Sequence, residues 1–292
     1  MKCLRRPNNF FDLDKKASSF NSSRAIILPV PFERTTTGIK GTKNGPKYMQ
    51  LASRSVMHYD EELGTNPCDT GIGTLPAIGT NTTTDTIFSN ITDVTSQILD
   101  LKKLPIIIGG EHSISAASVL ACKKKYAGLS VLQIDAHCDL LDVYDGTKKS
   151  HACAGRRMHE LTGNVVPVGI RSIFAEEALF IKKNKIPVFF AKDISQNDDW
   201  HQKTLSKLSD KVYITLDLDG LDPSLIPHVG NPEPGGLLYY PFLRFIAQVF
   251  QEKEVVGFDI VELSPKKNDV SYVSDFAAAK ILYKMIGYKF CR

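Results

Sequence analysis

The 292-residue chain has no apolar run of transmembrane length, and its first residues, MKCLRRPNNFFDLDKK, carry positive charge without the apolar centre of a secretory signal. A cytoplasmic protein without membrane partners is expected. A strong excess of one charge is also missing, since 36 Lys and Arg stand against 32 Asp and Glu, too even a balance for an electrostatic footprint on nucleic acid. Short lysine runs at 123–125, 182–183 and 266–267 are scattered and read as solvated helix ends or loops. No two of the six cysteines form a C-x-x-C pair, which argues for free thiols rather than a disulfide framework or a structural zinc site. Repeats and low-complexity linkers are lacking too. With 42% hydrophobic residues, the expectation is one folded domain spanning 1–292.

Short Ile- and Val-rich runs at 25–30, 105–108, 129–134, 165–170, 188–190, 212–218 and 255–261 read as buried strands. Segments with helical spacing at 84–103, 113–125, 175–185, 240–252 and 275–285 fall among them. This alternation predicts an α/β fold with a central, mostly parallel sheet covered on both faces. Ligands of such sheets bind beyond the carboxyl ends of the strands, so those ends are where chemistry is sought.

The polar residues there are of an unusual kind. The run VLQIDAHCD at 131–139 begins as a buried strand and then offers Asp135, His137 and Asp139 at every second position. Side chains at i, i+2 and i+4 of a strand share a face, so the three converge if the chain stays extended, and Cys138 is turned the other way. A second strand leads into Asp217 and Asp219, again with period two, and a third ends in GGEHS at 109–113, whose glycines permit a tight turn presenting His112. An acidic residue after a strand is ordinarily a turn former or a helix cap. Three strand ends that converge are harder to dismiss. Burying Asp135, Asp139, Asp217 and Asp219 without compensation would be prohibitive, whereas two divalent cations supply the balancing charge. Carboxylates with a little imidazole suit Mn²⁺.

With GGEHS at 109–113, DAHCD at 135–139, TLDLDGLDP at 215–223 and GFDIVELSP at 257–265 in order, the sequence resembles the arginase and agmatinase family, the ureohydrolases. The resemblance implies an arginase-like three-layer α/β sandwich and a homo-oligomer, a trimer or a pair of trimers. It implies one metal held by His112, Asp135, Asp139 and Asp217, and another by Asp135, His137, Asp217 and Asp219, with Asp135 and Asp217 bridging two manganese ions per chain. A hydroxide between the ions would attack a guanidinium carbon. Asp139 would pass a proton to the departing amine, His151 would serve as proton shuttle, and Glu262 would hold the guanidinium by a charge-assisted hydrogen bond. Agmatine is the leading substrate, giving putrescine in polyamine biosynthesis; aminopropylagmatine, guanidinobutyrate and formiminoglutamate are rivals, and a silent polyamine-binding paralogue is the non-enzymatic one. Two departures bear on substrate: Glu111 stands where Asp is common, and ACAGRR follows His151 in place of a GTxFRR form. The loop at 140–150 lacks the Asn and Ser-Gly-Asn elements with which arginases hold an α-carboxylate. It offers Asp142 and Asp145 instead, which would favour a cationic tail.

Overall fold

The computed structural model describes residues 1–196, 199–266 and 272–291; Lys267, in the last lysine pair, lies outside them. Its strands are β1 Ala25–Val30, β2 Ile72–Thr74, β3 Leu104–Gly109, β4 Ser130–Ile134, β5 Val165–Ile170, β6 Phe189–Phe190, β7 Lys211–Asp217 and β8 Glu254–Val261. The helices are α1 Lys15–Ser18, α2 Gly45–Ser53, α3 Thr84–Asp100, α4 Ser115–Lys125, α5 Ala154–Thr162, α6 Ala175–Asn184, α7 Ala191–Ile194, α8 Trp200–Leu205, α9 Tyr239–Glu252 and α10 Val273–Phe290.

The strands form one sheet in the order β2-β1-β3-β8-β7-β4-β5-β6, and all their pairings are parallel. The alternation of side chains explains the helical layers on either side. Ile27, Ile106, Leu132, Ile214 and Phe258 face a core shared with α2, α8, α9 and α10. Ile26, Leu28, Ile107, Val131 and Tyr213 point the other way, towards α3, α4 and α5. This is the expected α/β sandwich. Among the described residues no helix is long and apolar enough to cross a membrane, and all six cysteines are free.

Six elements fall outside the sequence reading: the short helices α1, α7 and α8, of four to six residues, and three others with a specific cause. β2 has only three residues, too few to show a period. α2 opens with Gly45 and Pro46, which signal a turn, although proline is compatible with a first helical position. α5 begins in ACAGRR, where small residues hide the periodicity until Met158.

β7 and β8 enter the sheet last in the chain but between β3 and β4 in space. The four central neighbours β3, β8, β7 and β4 therefore end side by side. They are the four strands whose carboxyl ends carry the polar motifs.

Candidate metal centre

β3 is followed by His112, β4 by Asp135, His137 and Asp139, β7 by Asp219 after its terminal Asp217, and β8 by Glu262. All but His137 are buried, with His112 1% and Asp135 0% exposed. Two ligand triads, His112-Asp135-Asp139 and Asp135-His137-Asp219, have candidate donor atoms within 4.8 Å of one another and share Asp135. Asp217 adjoins the first, its Oδ2 3.3 Å from His112 Nδ1.

The convergence does not arise as the spacing alone suggests. β4 stops at Ile134, and Asp139 has φ of +54°, so the extended chain breaks and the carboxylate is brought back by a coil. Asp219 sits in a 3-10 turn whose N–H donates to Asp217 Oδ1 at 3.0 Å. A Cβ on the next residue, Gly220, would lie 2.7 Å from the backbone nitrogen of Asp135, so glycine lets the two strand ends touch. Cys138 packs with Leu140, Ile170 and Ile186, away from the cluster as its parity predicts.

His112 shows what the cluster is built to hold. Its Nδ1 lies 3.2, 3.0 and 3.3 Å from oxygens of Asp135, Asp139 and Asp217, yet makes a directed hydrogen bond to none of them. That is how ligands gather around a common cation, rather than how a donor meets an acceptor. On the other side of the ring, Nε2 is 2.9 Å from Thr215 Oγ1, and Thr215 donates to Asp259 Oδ1 at 2.6 Å. With the threonine proton committed to Asp259, Nε2–H donates to Thr215 and the Nδ1 lone pair is left for a metal. His137 Nδ1 is similarly 3.1 Å from Asp219 Oδ2 and 3.7 Å from Asp135 Oδ1. Asp135 thus turns Oδ2 to one histidine and Oδ1 to the other.

Protonation follows the same logic. Burial disfavours charge on His112 and His137, but the carboxylates outweigh it, raising His112 well above the usual range and His137 to about 12. Burial also opposes ionisation of Asp135, yet the two histidines hold its carboxyl low. Burial and then the Asp135 charge push Asp139 up to about 7, and burial with neighbouring carboxylates raises Asp217 and Asp219. Protons take the place that divalent cations would fill. The donor set therefore fits a pair of hard or borderline cations.

Polar residues beneath the cluster hold it in shape. Gln133 Nε2 donates to Asp135 Oδ2 at 2.9 Å, and Asp259 accepts from Tyr213 as well as Thr215. Gly257, the register partner of Tyr213, leaves room for the phenol ring, since its Cβ would lie 3.2 Å from Tyr213 Cε2. These residues were absent from the candidates drawn from the sequence. Their signal was there, because Gln133, Thr215 and Asp259 are buried polar residues flanked by apolar ones within their strands.

A cavity of about 300 Å³ opens over the cluster, lined among others by Tyr144, His151, Phe174, Glu233 and Glu262. Glu262, buried and at φ +65°, accepts the His112 N–H at 2.7 Å; burial holds its carboxyl well above the usual range. His151 lies within 3.4 Å of Thr35 and Thr37 hydroxyls, and burial lowers its pKa, so the ring is neutral at pH 7. Glu111 accounts for one departure: it accepts from the Thr35 N–H and hydroxyl at 2.7 Å, and Thr35 in turn accepts the His151 N–H. Asp142 instead pairs with Arg157 at 2.6 Å and Lys148 at 3.3 Å, and neither Asp142 nor Asp145 lines the cavity.

Known proteins share this architecture. A profile described as the Arginase family matches residues 23–287. The chain is 37% identical over 290 residues to the N(1)-aminopropylagmatine ureohydrolase of Synechocystis sp., covering 97% of this chain and 94% of that one. It is 32% identical to the agmatinase of Pyrococcus horikoshii, over 95% and 96% of the two chains. Among solved structures, the agmatine ureohydrolase of Thermoplasma volcanium superposes with a TM-score of 0.87 at 30% identity, covering 94% of this chain and 93% of that chain.

Two expectations follow. Calorimetric titration with Mn²⁺ should saturate at two ions per chain and release protons, and the affinity should fall as pH drops through about 7, where Asp139 and its neighbours retain protons. Saturation at one ion, or pH-independent binding between pH 6 and 8, would contradict this. In Asp259→Asn, loss of the carboxylate acceptor behind Thr215 should weaken the ion at His112 by about 10- to 100-fold while sparing the ion at His137. Unchanged stepwise metal affinities would show that the Thr215–Asp259 pair has no part in holding it.

Proposed function

The chain belongs to the arginase family, and from that membership we propose that it is a two-manganese ureohydrolase releasing urea from an aliphatic guanidine with a distal amine. Agmatine, yielding putrescine, is one such compound and its aminopropyl extension another. The observation that carries the reading is Asp135, whose two oxygens face two different histidines and so belong to both ligand triads. The names of the bacterial and archaeal relatives support both substrates, the aminopropyl compound in particular. A silent binding paralogue fits less well, because all six candidate ligands are present and five of them fall in the two triads.

His112, Asp135, Asp139 and Asp217 would hold one ion, and Asp135, His137, Asp217 and Asp219 the other. Bound there, the pair supplies a hydroxide nucleophile near neutral pH. The rest is the work of this chain. Glu262 projects from the end of β8 into the cavity, where its carboxylate matches the planar N–H donors of a guanidinium and presents the central carbon to attack. As the carbon–oxygen bond forms and the bond to the alkyl nitrogen breaks, Asp139 passes the proton that leaves with the amine, and urea remains. His151, kept neutral by burial, offers a lone pair for proton exchange with solvent. The enzyme is proposed to work as one catalytic domain in a cytoplasmic homo-oligomer, a trimer or hexamer.

Manganese-loaded protein should release urea from agmatine or aminopropylagmatine, and no urea from any guanidino compound in a panel would reject the assignment. Glu262→Gln should retain two ions yet lose turnover by about a hundredfold or more. Near-normal turnover would remove Glu262 from the reaction. His151→Ala should retain metal, turn over slowly and recover in part with added imidazole; unchanged kinetics would leave His151 a loop residue.

A further inference from the structure

We propose that Glu233 is the specificity-determining residue that recognises the distal ammonium of the guanidino substrate. The inference rests on the ureohydrolase reading and adds to it the stretch of cavity wall beyond His137.

Elimination singles this residue out. Of the carboxylates lining the cavity, Asp139, Asp217 and Asp219 face the two histidines, and Glu262 accepts the His112 N–H. Glu177 has both oxygens occupied, accepting the N–H groups of Leu140 and Phe174 at 2.7 Å each. Glu233 remains. Its side chain is 37% exposed, and among the described residues no donor hydrogen-bonds its carboxylate. The nearest cationic group is His137 Nε2 at 3.9 Å, beyond hydrogen-bond reach.

The carboxylate is uncommitted, but the backbone beneath it is fixed. Arg171 donates to the carbonyl of Glu233 at 2.7 Å and of Pro234 at 3.0 Å, and also to that of Asp219 at 2.6 Å. One guanidinium thereby ties the Glu233 loop to the turn that carries a metal ligand. On the far side of the loop, the N–H groups of Gly235 and Gly236 donate to Asp222 Oδ2 at 2.9 and 3.0 Å. A polar side chain left free on a loop held this firmly gives up little backbone entropy when it binds a ligand.

The walls suit the same ligand. Tyr144 and Phe174, with ring centroids 6.1 Å apart, line the cavity and offer apolar surface for an alkyl chain and π faces for a cation. A carboxylate at the end of that chain would meet Glu233 with like charge. Recognition of a cationic tail, expected of Asp142 and Asp145 from the sequence, is better served by a carboxylate that lines the cavity and, among the described residues, accepts no hydrogen bond from a cation.

The competing role is orientation of His137, and metal content separates the two. Glu233→Gln, an isosteric change, is loaded with manganese and assayed on agmatine and on n-pentylguanidine, in which a methyl group replaces the ammonium. The expected result is a fall in kcat/KM for agmatine of about tenfold or more, carried by KM, with pentylguanidine altered less than twofold and two ions still bound. Glu233→Lys should go further and raise the ratio of guanidinobutyrate to agmatine turnover. Equal losses on both substrates, an unchanged ratio, or loss of one ion would overturn the proposal. If the unsubstituted protein releases urea from no guanidine, the failure belongs to the ureohydrolase reading instead.

Discussion

Four carboxylates crowded at the ends of adjacent strands are the constraint around which the rest is arranged. Buried anions cost several kcal/mol each unless opposite charge is at hand. Here Asp135, Asp139, Asp217 and Asp219 are shielded from water, and among the described residues the cationic groups within 4 Å of their carboxylates are two imidazoles. The sheet order brings this about. If β7 and β8 had followed β6 at the edge, the aspartates of β7 would stand far from those after β4. Their insertion between β3 and β4 puts every ligand-bearing strand end next to another. The fold thus gathers more buried negative charge than two imidazoles balance, and cations bound there would add to its stability.

Such a cluster needs rigid support, and it comes from the same strands two or three residues earlier. Gln133 holds Asp135, and Thr215 with Asp259 holds the far side of the His112 ring. The polar groups of this layer lie on the face towards α4, where Ser115 is 3.3 Å from the Thr215 hydroxyl. Backbone strain contributes at the two positions that need unusual aim. Asp139 and Glu262 both have left-handed φ, a conformation uncommon for residues with a Cβ. Each is thereby turned back towards the centre from a chain that would otherwise run on.

Much of this was legible in the sequence, though not always for the reason first apparent. The strands declare themselves as apolar runs because parallel strands are buried on both faces, and the metal-ligand candidates stand where those runs end. The period-two argument grouped Asp135, His137 and Asp139; the chain brings them to two triads that share Asp135, through a coil at Asp139 rather than an extended strand. Spatial order was not legible, since nothing in the local pattern of β7 or β8 says which strands they will pair with. Nor did charge alone reveal whether a loop carboxylate faces the cavity. Asp142 and Glu233 look equally available in the sequence, but Arg157 and Lys148 neutralise the first at the surface, while Arg171 grips the backbone of the second and leaves its side chain free.

The cavity is thus built in two ways. Its buried end follows directly from regular strands, whose register fixes where the candidate ligands begin. Its outer end is made from loops that carry Tyr144, Phe174 and Glu233, and these contribute no ligand to either triad. Loop side chains can be exchanged at small cost to the core. The part that carries the two triads and the part that carries Glu233 are therefore built from different elements, and one can change with little disturbance to the other. The link between the two ends is Arg171, whose contacts join Asp219 to Glu233. It holds the loop of Glu233 in a fixed position relative to the turn of Asp219.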